Sequence, residues 1–206
     1  MNTVYTIGYS NHSYKYFLEL LTKYKIDTII DVRSSPYSQR NPEFNKPLLT
    51  KLLKESKIHY IFMGQELGAR RNEKDLYTND VVDFQKVYKN DKFISGIERI
   101  KLGLNKGYII AIMCSEKNPV DCHRTIMVAR YLDVLGINVS HILADGTLLP
   151  HCKIDDELLY KYNSEYSQLN MFGKLMSKEE AINDSYQKQN LNVGYKLNGD
   201  NEDEED

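Results

Sequence analysis

The sequence is short of the features that would assign it quickly. No apolar run approaches the roughly 18–20 residues of a membrane span, and the first apolar segment, VYTIGY, has no basic leader and ends in polar residues, so neither a span nor a secretory signal is expected. Three cysteines, Cys114, Cys122 and Cys152, are an odd set in such a chain, which favours free thiols over a disulfide framework and a cytoplasmic location. GxSxG, GxGxxG and GxxxxGK[ST] are all absent, removing the usual support for hydrolase, dinucleotide and P-loop readings. CxxC and HExxH are absent too. Cys122 and His123 could join His12, His151 or Cys152 at a metal, but without a recurring ligand spacing neither a dedicated metal nor any other cofactor is expected.

There is also no large charge surplus. The 206 residues carry a formal charge of -2, yet the last ten, LNGDNEDEED, hold six acids and no base. With those set aside, 27 basic residues face 23 acidic ones, so the body is mildly basic at about +4. That suits an anionic ligand and falls short of a dedicated nucleic-acid binder.

What is present is alternation. Apolar runs at 4–9, 27–32, 59–63, 108–113 and 139–143 read as strands, and helical patterns separate them. Tyr14, Phe17, Leu18 and Leu21 share one helix face behind a Ser13 cap. Leu48, Leu49, Leu52 and Leu53 mark a second helix with Pro47 in its first turn. Phe84, Val87 and Tyr88, then Ile94, Ile97 and Ile100, carry helical spacing toward Gly107, and a further helix runs from near Asp121 to Gly136. This order argues for right-handed βαβ crossovers and a mainly parallel sheet, doubly wound in three layers, with a barrel as the alternative. Residues 65–79 read as a long polar loop or lid. The domain is expected over 1–176, with 177–206 a weakly structured extension ending in the acidic tail.

In a parallel sheet the carboxyl ends of the strands converge and ligands bind there. Those ends carry Gly8, Tyr9, Ser10 and His12; Asp31 and Arg33; Gly64, Gln65 and Glu66; Cys114, Ser115 and Glu116; and Asp145 and Gly146. The segments TIGYSNHS, DVRSSPYSQRNPEFN, MGQELGAR, MCSEKNPVDCHR and HILADG, in this order, resemble the bacterial and archaeal family called domain of unknown function 488. The resemblance spans residues 6–146, or to His151 with the family's downstream histidine, and implies an α/β domain with its active site in those motifs. It supplies no reaction.

The reaction must therefore be read from the residues. Arg33, Arg70 and Arg124 carry forks that match phosphate or carboxylate, each in a loop or at a helix start. Asp31, Glu66 and Glu116 are candidate acids or bases, and paired carboxylates can run hydrolysis of a glycosidic bond. Tyr9, Ser10, His12, Lys117 and His123 are expected to contact substrate, and Tyr9, Tyr37 and Tyr77 offer rings for stacking. Cys114 ends a buried strand, where cysteine is often only a small apolar residue. It becomes a nucleophile if Lys117, His123, Arg124 and the nearby helix start lower its pKa. The spacing departs from the cysteine-phosphatase pattern, since Val120 stands six residues after Cys114. The expectation is an enzyme acting on a phosphorylated substrate, a nucleotide or nucleic-acid end, by hydrolysis or glycosyl transfer. The alternatives are a non-catalytic module sensing nucleotide or phosphate, and a thiol enzyme using Cys114.

Overall fold

A computed structural model describes residues 3–10, 12–166 and 176–197. The chain opens with β1 (Thr3–Gly8), α1 (Tyr14–Lys23), β2 (Thr28–Asp31), α2 (Lys46–Glu55) and β3 (His59–Phe62). There follow a single turn, α3 (Gly64–Leu67), and a two-stranded hairpin, β4 (Tyr77–Thr78) with β5 (Val81–Val82). Next come α4 (Phe84–Val87), α5 (Asp91–Asn105) and β6 (Ile110–Cys114). A π-helical segment, Arg124–Ala129, then continues into α6 (Arg130–Val134). The chain finishes with β7 (Asn138–Ile142), β8 (Leu148–Pro150), α7 (His151–Asn163) and α8 (Lys178–Val193).

The main sheet has the order β3-β2-β6-β1-β7-β8 and is parallel except for β8, which returns antiparallel beside β7. It is an open three-layer α/β arrangement, not a barrel. Side chains alternate faces along each strand. Ile7, Ile29, Ala111 and Met113 pack with Phe17, Leu21, Leu49 and Leu53 of α1 and α2, whereas Val4, Ile30, Ile110 and Ile112 pack with Phe93, Ile97, Met127 and Leu132 on the other side. The central strands β2 and β6 are buried along their whole length, which is why β6 is continuously apolar and the one charged side chain of β2, Asp31, is paired with Arg33.

The order of strands creates the site. Moving outward from β1 to β2 and β3, right-handed crossovers place α1 and α2 on one face; the chain then reverses, so the helices before and after β6 lie on the other. β6 sits between β1 and β2. Its outgoing loop therefore diverges from both neighbours' loops, which opens a crevice above the carboxyl end of β6.

The C-terminal segment departs from the sequence expectation. Instead of a weakly structured extension, residues from Ser177 build α8, opened by a capping box in which Ser177 Oγ accepts from the Glu180 N–H at 3.1 Å and a Glu180 carboxylate oxygen accepts from the Ser177 N–H at 2.8 Å. The helix docks through polar contacts. Asn190 accepts from the Phe84 N–H and donates to the Val82 carbonyl, and Gln189 donates to the Val120 carbonyl. Tyr186 donates to Asp155 at 2.8 Å and meets His151 Nε2 at 3.0 Å; His151 Nδ1 meets His141 Nε2 at 3.0 Å, and His141 Nδ1 meets Thr6 Oγ1 at 2.8 Å. One orientation satisfies every member, with both imidazoles neutral and each group donating toward Asp155. His151 thus ties β1, β7, α7 and α8 together. The acidic tail from 198 onward lies outside the described residues.

Candidate active site

The crevice at the end of β6 is a cleft of about 480 Å³. Its walls come from the ends of β1 (Tyr9, Ser10), β2 (Arg33) and β6 (Cys114, Ser115, Glu116), with Arg40 and Arg70 from intervening loops and Cys122 and His123 from the start of the next helix. Val193 and Tyr195 complete it from the C-terminal segment, Arg70 lying 4.7 Å over the Tyr195 ring. The sequence gives a signal for this last wall only in the Ser177–Glu180 capping pair.

Arg33 is fixed in the cleft wall. Its Nε and one terminal nitrogen donate to the two oxygens of Asp31 at 2.9 and 2.6 Å, that same nitrogen also donates to the Phe44 carbonyl, and the other donates to the Tyr9 hydroxyl at 3.0 Å. The guanidinium stacks over Tyr9, which itself stacks on Phe44 at 4.2 Å. Asp31 also accepts from the Tyr60 hydroxyl at 2.6 Å and is wholly buried. It is therefore an orienter of Arg33 and not a base facing substrate.

Other expected site residues are placed elsewhere. Glu66 pairs with Arg99 of α5 and is not part of the cleft wall. Arg124, the largest fully buried side chain, donates to the carbonyl oxygens of Glu116 and Lys117 and so straps the 115–118 loop to the core instead of meeting an anion. Lys117 is exposed and His12 is buried edge-on against Tyr16; neither lines the cleft. Tyr77 donates its hydroxyl to the Arg71 carbonyl, and Asp145 caps its own turn by accepting from Thr147. The HILADG motif thus lies outside the cleft, while the other four contribute Tyr9 and Ser10, Arg33, Arg70, and the 114–123 loop.

Within the cleft, Cys114, Cys122 and His123 form one cluster, their Sγ, Sγ and imidazole nitrogen all within 4.8 Å of one another. His123 Nδ1 lies 3.8 Å from Cys114 Sγ and 4.0 Å from Cys122 Sγ, and Nε2 lies 3.1 Å from the Val32 carbonyl oxygen. A carbonyl only accepts, so Nε2 carries the proton and the Nδ1 lone pair faces both sulfurs. The contact with Cys122, reinforced by His123 and Arg124, holds the Cys114 thiol well below the ordinary thiol range despite burial. Burial and the neighbouring Cys114 push Cys122 well above it. The metal partners considered from sequence, His12, His151 and Cys152, are not in this cluster; Cys114 takes their place.

The motifs that build this cleft lie in and around a matched stretch. Residues 13–132 match the family described as Domain of unknown function DUF488. The chain belongs to that family. No curated protein and no solved structure matches it. The DUF488 match covers β2, the Arg33 and Arg70 loops, β6 and the cysteine–histidine cluster; β1, with Tyr9 and Ser10, and the α8 wall fall outside it. Among the described residues no helix is long and apolar enough to cross a membrane.

Proposed function

We propose that the protein is a cytoplasmic enzyme that binds a phosphate-bearing substrate, a nucleotide or nucleic-acid end, in this cleft and transforms it by hydrolysis or glycosyl transfer beside the Cys114–Cys122–His123 cluster. The observation that carries the reading is the convergence of Arg33, Arg40 and Arg70 on the cleft that holds the cluster. Guanidinium forks match phosphate oxygens; that of Arg33 is held by Asp31, Phe44 and Tyr9, which leaves one N–H of its five for a ligand, so an arriving phosphate would meet chiefly Arg40 and Arg70. Glu116, which lines the same cleft and is exposed, is the carboxylate we assign to proton transfer; Asp121, also on the cleft wall, accepts from the Asn118 side chain. Three free cysteines accord with a reducing compartment.

A second reading, a thiol enzyme with Cys114 as nucleophile, is favoured by its lowered pKa beside the His123 lone pair. The test is turnover of a panel of nucleotides and 5′- or 3′-phosphorylated oligonucleotides, with Glu116→Gln and Cys114→Ser as variants. Product formation that falls with Glu116→Gln supports the main reading. Binding without any product would make the protein a sensing module.

A further inference from the structure

We propose that Cys114, Cys122 and His123 form a zinc site whose fourth position opens into the cleft. The inference deepens the reading above, since it names what stands beside the bound phosphate. It begins from the orientation of one imidazole. Because Nε2 donates to Val32, Nδ1 is available as a ligand, and a backbone carbonyl on the distal nitrogen is the outer contact that metal-bound histidines commonly make.

The spacing is close to that of a tetrahedral centre. Zinc bonds of about 2.3 Å to sulfur and about 2.1 Å to nitrogen imply sulfur–nitrogen edges of about 3.6 Å. The observed sulfur–nitrogen edges are 3.8 and 4.0 Å and all three atoms lie within 4.8 Å of one another, so a few tenths of an ångström closes the sulfur–nitrogen edges and at most about 1 Å brings the two sulfurs to the roughly 3.8 Å that one ion requires. Two thiolates and one imidazole are a soft set suited to zinc, and three protein ligands with an open fourth position are the pattern of a catalytic site.

Charge argues the same way. All three residues are buried, where two thiolates side by side would be costly. A divalent ion neutralises them, each thiol releasing its proton to solvent as the metal enters. Ser10, Ser115 and Glu116 line the same cleft as the three ligands, and a water at the fourth position would have its pKa lowered toward about 7.

The test uses the full chain, reduced and stripped with a chelator, titrated with Co(II) and then with Zn(II). One equivalent of Co(II) is expected, with the intense visible bands of tetrahedral cobalt and a thiolate-to-cobalt charge-transfer band, all displaced by one equivalent of Zn(II). In the same unmutated protein, zinc should protect two of the three thiols from alkylation and leave Cys152 reactive. Cys122→Ser and His123→Gln, confirmed folded by circular dichroism, should weaken binding by more than about a hundredfold, exceeding the loss of an outer contact. Cys152→Ser should bind as the parent does. Substoichiometric or octahedral cobalt, or alkylation of all three thiols unaffected by zinc, overturns the proposal. Neither readout involves anion binding or turnover, so a failed metal titration leaves the arginine cleft standing and a failed nucleotide assay leaves the metal site standing.

Discussion

Asp31 grips the Arg33 guanidinium through both carboxylate oxygens while accepting two more bonds, from the Arg33 N–H and the Tyr60 hydroxyl, at the wall of the cleft. Asp31→Asn keeps the volume but removes the charge that holds the fork. Breaking a buried pair from one side costs about 3 kcal/mol or more. The expected result is a clear drop in melting temperature together with weaker binding of nucleotide, read by calorimetry. Unchanged binding in a folded variant would show that Arg33 needs no such orientation.

Gly8 ends β1 against the 115–118 loop. A Cβ there would lie far inside van der Waals contact with the Glu116 carbonyl oxygen and 3.1 Å from an Arg124 nitrogen, both fixed groups. Gly8→Ala should therefore displace the loop, at a cost of about 1–3 kcal/mol, and disturb the cluster. Chemical denaturation should register the loss, and the alkylation rate of Cys114 should change with it.

Arg124 and Arg70 should separate folding from binding. Arg124 is wholly buried and its bonds go to loop carbonyls, so Arg124→Met should destabilise the fold by about 3 kcal/mol. Arg70 is exposed at the rim, so Arg70→Ala should change stability by about 0.5 kcal/mol or less yet weaken phosphate binding by about tenfold or more. Melting curves and titrations of both variants with one nucleotide decide the point. A stable Arg124→Met protein that merely loses binding would return Arg124 to the cleft.

Much of the architecture is legible in the sequence, and the failures have specific causes. The five apolar runs become the five parallel strands, Ser13 caps α1 by accepting from the Tyr16 N–H, and Pro47 lies in the first turn of α2. Period and capping chemistry act locally, so they can be read locally. α8 escapes because its buried face includes Ser185, Gln189 and Asn190, which leave little apolar period to detect. β8 is three residues long, beyond a turn at Gly146. The convergence of Tyr9, Arg33, Cys114 and His123 follows from the parallel order. Whether an arginine faces the cleft or the core does not, since Arg33, Arg70 and Arg124 differ only in where the fold sends their side chains.

The buried imidazoles predict an acid dependence of stability. Burial lowers both, His141 well below its ordinary range and His151 to about 3. The unfolded chain takes up protons at these sites as pH falls through about 6.5, whereas the folded chain does not, so their contribution is complete above that pH and is lost as pH falls toward 3. His151→Gln should lower the slope of unfolding free energy against pH, between 6 and 5, by about 1 kcal/mol per unit. An unchanged slope would mean that His151 is protonated in the folded state.

The most direct measurement is a crystal structure of the protein with a non-hydrolysable nucleotide. The phosphate is expected within about 3 Å of the Arg33 or Arg70 guanidinium, beside Cys114 and His123 at the end of β6. A phosphate bound elsewhere, such as the groove at the β3 edge lined by His59, Arg99 and Tyr108, with the strand-end cleft left to solvent, would contradict the assignment of this cleft as the active site.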